Sequence, residues 1–195
     1  MEMDMSEDFE NKTLREQEEL YHVDQLIGVF SWNRPFKYDD VSIAAKSLGF
    51  VIKSGGAGKD IAFDFLMSAI PPFPHEVKDD KKRRRAGYAI WALGLAGDGR
   101  AVDMLVSIAA ANIGVPSDLR TPALGALEMI GDARAIEPLR ALVEKLEKSD
   151  DPFRQKNYIS SVITAIEAAN PEPARPQISS AATRPANSGL DGPKG

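Results

Sequence analysis

Apolar residues recur along most of this chain at steps of three and four, the spacing of amphipathic helices. Thr13 and Glu16 have the spacing of a capping box, and Leu20, Val23, Ile27 and Phe30 follow on one face, which predicts a helix over about 13–30. Asp39 or Asp40 can cap a second helix through Val41, Ala44, Ala45, Leu48 and Val51 to a stop at Gly55-Gly56. A third runs from about Lys59 to Ala69, where prolines 71, 72 and 74 end it. No segment longer than a few residues alternates with period two, so the fold class reads as all-α.

Beyond those prolines the pattern repeats. Ala86, Ala89, Ala92-Leu93, Ala96-Gly97-Asp98 and Arg100-Ala101-Val102 recur as Arg120, Ala123, Ala126-Leu127, Ile130-Gly131-Asp132 and Arg134-Ala135-Ile136, a constant offset of 34 residues. Each copy continues into an apolar helix, Met104/Leu105/Ile108 in one and Leu139/Leu142/Val143/Leu146 in the other. Ile159, Val162, Ala165, Ile166 and Ala169 give the first-helix pattern again, and Val41, Ala44, Ser47, Leu48 and Val51 give it faintly upstream. Small residues at 89, 92, 123 and 126 share one helical face and let a neighbouring helix approach closely, while Leu93 and Leu127 fill the space between. Gly97 and Gly131 suit left-handed helix ends, after which Asp98 and Asp132 can accept from the N–H groups opening the next helix. Each copy then reads as a helix-turn-helix hairpin that must stack on another to bury its apolar face.

At these residues the chain resembles the HEAT-repeat superfamily, and most closely the short HEAT-like repeat also found in phycobiliprotein lyases, with its pattern Arg-x-x-Ala-x-x-Ala-Leu-x-x-Ile-Gly-Asp-x-Arg-Ala. The Gly-Asp-x-Arg-Ala box stands at 97–101 and 131–135, and a weaker likeness covers about 41–169. Of the two good copies only the second keeps the first-helix Arg, as Arg120; Ala86 replaces it in the first. The resemblance implies a right-handed α-solenoid of about four HEAT-like hairpins with an N-terminal capping helix, and a concave surface lined by the second helices.

Composition sets the limits of that body. Glu2, Asp4, Glu7, Asp8 and Glu10 against Lys12 alone make residues 1–12 an expected disordered acidic tail, and five of the thirteen prolines place a second tail at 171–195, leaving 13–170 as the solenoid. The absence of Cys and the presence of only two His exclude a disulfide scaffold, a thiol nucleophile and a Cys/His zinc site. The start has no basic and apolar leader, and the longest uncharged run, Ala86 to Gly97, is about half of the roughly 20 residues a membrane span needs, so a cytoplasmic protein with no membrane partner is expected. Gly56-Ala57-Gly58-Lys59-Asp60 lacks the Ser or Thr of a phosphate loop, and Gly94 to Gly99 has the wrong glycine spacing for a dinucleotide loop. His22 and His75 have no triad partners, so no catalytic residue, metal or cofactor is expected.

Three features remain as candidates for recognition. Lys81-Lys82-Arg83-Arg84-Arg85 puts five cations directly before a helix, against its dipole, and suits docking of an acidic protein, nucleic acid or the chain's own acidic tail. Nucleic acid is disfavoured because the chain carries 24 Lys and Arg against 29 Asp and Glu, a net charge of -5. The segment Phe30 to Tyr38, which includes Trp32, interleaves aromatics and cations as interface hot spots do, although a lid over the open end of the first hairpin explains it better. The solvent face of the second helices carries Arg100 and Asp103 in one repeat and Arg134, Glu137, Arg140 and Glu144 in the next, opposite the Ile136/Leu139/Leu142/Val143 stripe. The reading is therefore a non-enzymatic adaptor or scaffold that binds another protein. A phycobiliprotein-lyase-like subunit or maturation chaperone, implied only by the resemblance, and a nucleic-acid binder using 81–85 stand behind it.

Overall fold

The computed structural model describes residues 14–31, 38–71, 78–111, 119–147 and 155–171, and every regular element among them is helical. The first three amphipathic runs become α1 (Leu14–Ser31), α2 (Tyr38–Ser54) and α3 (Lys59–Ser68), close to the bounds that the periodicity predicts. The repeat becomes α4 (Asp80–Ala96), α5 (Val102–Ala110), α6 (Arg120–Ile130), α7 (Ile136–Glu147) and α8 (Gln155–Ala169). Trp32, His75 and, apart from Pro171, both expected tails lie outside the described residues.

Both boxes end their helix as the sequence suggests. Gly97 and Gly131 each take a left-handed φ of 68°, which costs a residue bearing a Cβ roughly 1–2 kcal/mol. The Asp98 and Asp132 carboxylates then accept from the backbone N–H of Arg100 and Arg134, both at 2.9 Å. One 3-10 turn, Gly99–Ala101 or Ala133–Ala135, intervenes before the next α-helix begins.

The pairing of helices differs from the expected hairpin across each box. The helices on either side of a box make few contacts with each other; α5 packs along α6 and α7 along α8, so the box is the link between hairpins. Arg120 accounts for much of this. Almost fully buried, it donates from Nε to the Ala109 carbonyl at 2.9 Å and from Nη2 to the Ala111 carbonyl, pairing oxygens that the end of α5 leaves open. Its Nη1 reaches the Gln155 side chain at the start of α8.

The helices form two layers, one of α2, α4, α6 and α8 and one of α1, α3, α5 and α7, with Leu48, Leu66, Leu93, Leu105, Leu127, Leu139 and Ile166 in the continuous core. Contacts between successive helices are far more extensive in the first layer. A Cβ on Gly49 would stand 2.6 Å from the Ala92 carbonyl oxygen, and one on Gly94 would stand 2.7 Å from the Ala126 Cα, so backbones there approach as only small residues allow. The closely packed layer of α2, α4, α6 and α8 is termed the inner layer and that of α1, α3, α5 and α7 the outer layer.

Candidate interaction surface

On the inner layer, the side turned away from the core carries large apolar side chains. Ile43 and Phe50 on α2, Trp91 on α4, Met129 on α6 and Tyr158 on α8 are between 36% and 59% exposed, and half-buried Tyr88 and Leu95 lie within one turn of Trp91. Among the described residues the outer layer adds only Tyr21 and Ile61 to such side chains. Neighbouring helices share this surface: the Met129 Cε occupies the space that a Cβ on Gly94 would take, and the Tyr158 hydroxyl lies 3.7 Å from the place of a Gly125 Cβ. Burial first, and the Glu128 carboxylate second, push the Tyr158 phenol above its ordinary value.

Cations accompany the apolar row. The Lys46 ammonium lies 5.8 Å from the centre of the Phe50 ring, and exposed Lys53 is one turn further on. The basic run forms the first turns of α4, where Asp79 relieves the conflict with the helix dipole by accepting from the backbone N–H of Lys81 at 2.8 Å and of Lys82 at 3.3 Å. Those two bonds, the one from Lys82 first, hold the Asp79 carboxyl below the usual range. Arg83 pairs with Asp80, Arg85 is half-buried, and Lys81, Lys82 and Arg84 are exposed.

The six charged residues read as a recognition face lie on the second helices and the turns that open them, on the outer layer and its edge, all exposed. Arg100 pairs with Asp98 at 2.7 Å and Asp60 at 2.9 Å, with its guanidinium 4.0 Å from the centre of the Phe63 ring. Arg134 pairs with Asp132 at 2.7 Å and donates to the Gly99 carbonyl of the preceding box at the same distance. Arg140 bridges Glu137 and Glu167 at 2.5 Å each. In each box the aspartate therefore caps the turn and orients an arginine that reaches back to the preceding hairpin. The guanidinium bonds, first among the causes, lower the Asp98 and Asp132 carboxyls, and the carboxylates raise Arg100, Arg134 and Arg140 above their ordinary value. Asp103 adds to the field at Arg134, and Glu144 lines an open groove between α7 and α8 with Arg140, Val143, Ile163 and Thr164.

Among the described residues no group of three or more His, Asp or Glu could hold a metal ion, and no helix is long and apolar enough to cross a membrane. Residues 120–145 match the family model described as the PBS lyase HEAT-like repeat. This segment is similar to a HEAT-like repeat. It opens on buried Arg120 and takes in α6, the second box and most of α7. No curated protein matches the chain. Sequence reasoning missed the exposed Ile43, Phe50, Trp91, Met129 and Tyr158. Trp91 stands beside the Ala89/Ala92 stripe, and a large aromatic opposite the core leucine of a helix was the available signal.

Proposed function

We propose that this chain is a non-enzymatic adaptor that binds another protein through the inner layer of a right-handed solenoid of about four HEAT-like hairpins, capped by its N-terminal helix. The row of exposed Phe50, Trp91, Met129 and Tyr158 on packed helices carries this reading. Aromatic and methionine side chains are those that protein interfaces concentrate, and rigid helices present them at little entropic cost. The cations of residues 81–85 border this surface, and Trp32 is an accessory contact for the partner in this reading. Arg100, Asp103, Arg134, Glu137, Arg140 and Glu144 serve in this reading to hold hairpins together. The expected setting is the cytoplasm, with neither membrane nor nucleic acid as partner.

Capture from a native lysate tests the reading, with the intact chain run beside a Phe50→Ala/Trp91→Ala variant and beside one with Ser at 81–85. A protein retained by the intact chain and lost with the aromatic variant is the expected result. Retention that survives that change but fails with the Ser variant moves the site to the basic run, and no retained protein at all rejects the adaptor. The likeness of residues 120–145 to the PBS lyase repeat favours one second reading, a lyase-like subunit or maturation chaperone. That reading requires a change in visible absorbance when the chain is mixed with a bilin or a bilin-accepting protein, and an unchanged spectrum rejects it.

A further inference from the structure

We propose that the inner layer takes an acidic segment of a partner protein, with apolar side chains set between its carboxylates. This rests on the adaptor reading and specifies the chemistry of its partner. The argument starts from how charge divides between the layers. Helices α2, α4, α6 and α8 hold nine Lys and Arg against five Asp and Glu, whereas α1, α3, α5 and α7 hold four against ten. A chain whose net charge is -5 is thus positive on one layer and negative on the other. Such a field draws an acidic partner to the inner layer and repels it from the outer one.

At contact distance the pattern is finer. Lys46 and Lys53 stand one turn to either side of Phe50 on α2. On α4, Arg84, Tyr88, Trp91 and Leu95 follow one another at steps of four, three and four. Lys46, Lys53 and Arg84 thus border apolar anchors, and a ligand that satisfies both kinds of site needs carboxylates separated by apolar side chains, as on an amphipathic acidic helix. A nucleic acid fits less well. It brings one charge per roughly 1.7 Å and no apolar side chains, whereas Lys46, Lys53 and Arg84 are set singly among Phe50, Tyr88, Trp91 and Leu95.

Fluorescence of the full chain carrying Trp32→Phe, which leaves Trp91 as the reporter, tests this. The probes are a synthetic amphipathic peptide with Glu and Leu at helical spacing, the same peptide with Lys for Glu, and an oligothymidylate. Saturable change with the Glu peptide, weakened about tenfold or more by Lys46→Glu/Lys53→Glu in a variant whose circular dichroism is unchanged, is the expected result. Equal binding of both peptides, preference for the Lys peptide, preference for the oligonucleotide, or indifference to the lysine changes overturns the proposal. The adaptor reading falls separately: a lysate partner lost with Phe50→Ala/Trp91→Ala keeps it alive even when the Glu peptide fails, and only the acidic chemistry is then wrong.

Discussion

The inner layer of the stack is held by what its helices lack, the outer layer by what they add. At Gly49 and Gly94 the missing side chains let α2, α4 and α6 meet backbone to backbone. In the outer layer the helices stand further apart, and the long side chains of Arg100 and Arg134 bridge the gaps, while Arg140 ties α7 to α8. The two solutions differ in strength. Close packing is felt at the level of a single methyl group, whereas exposed ion pairs contribute roughly 0–1 kcal/mol each and weaken with salt. They differ in consequence too. A layer that packs through small residues can turn its large apolar side chains outward, and Trp91 and Phe50 are therefore available to a partner.

Arg120 lies where the layers meet, and its loss is expected to have the largest effect. Arg120→Ala leaves the Ala109 and Ala111 carbonyls without their donor and opens a cavity, at a cost of about 3 kcal/mol or more. Arg120→Lys should rescue little, because an ammonium cannot span three acceptors in the geometry of a planar guanidinium. Urea unfolding of both variants measures this, and a Lys variant close to the parent would show that charge alone, not the fork, joins the layers.

Adding a methyl group to each layer should give opposite signs. Gly94→Ala drives a Cβ to 2.7 Å from the Ala126 Cα, which predicts a loss of about 1–3 kcal/mol and a wider spacing between α4 and α6. Gly28→Ala on α1 meets nothing within 4 Å and should gain about 0.5–1 kcal/mol from helix propensity. Thermal melts of the pair decide it; equal shifts would mean that the two layers tolerate volume alike.

These contrasts mark what could be read in the sequence. The helices, the left-handed glycines and the aspartate caps were legible because each depends on residues within a turn or two of one another, and the 34-residue period because that local pattern recurs at a constant offset. The partner of each helix was not, because a Gly-Asp box reads the same whether it closes a hairpin or links two; only the long-range bonds of Arg120 separate the cases. For the same reason Arg100, Arg134 and Arg140 looked available to a partner, since Asp60, Gly99 and Glu167, which engage them, are 40, 35 and 27 residues away in the chain. The exposed aromatic row escaped notice because a helix-by-helix pattern does not show that four separate helices turn the same side outward.

A smaller effect comes from the boxes. Asp132→Ala removes both the cap and the partner of Arg134, at about 1 kcal/mol, whereas Asp132→Asn keeps a capping oxygen and removes the charge. The sign of the pH dependence follows from the lowered carboxyl: the folded protein holds this proton less tightly than the unfolded chain, so the ionised form contributes stability above the unfolded value of about 3.9, and the contribution is lost as pH falls through the lower folded value. The Asn variant should therefore show a shallower loss of stability in acid than the parent, read as melting temperature across that range. Parallel acid limbs would assign the role of Asp132 to capping alone.

The smallest effect tests a surface ion pair at the edge where the two layers meet. Arg140 and Glu167 form an exposed pair between α7 and α8, and a double-mutant cycle with Arg140→Ala and Glu167→Ala should give a coupling of about 0.2–1 kcal/mol. Raising the salt from roughly 0.1 M to 1 M shortens the screening length from about 10 Å to about 3 Å, and the coupling should fall with it. A coupling above 2 kcal/mol, or one indifferent to salt, would place this edge on the same footing as the buried inner layer. The division between a layer fixed by close packing and a layer tied by surface charge would then be lost.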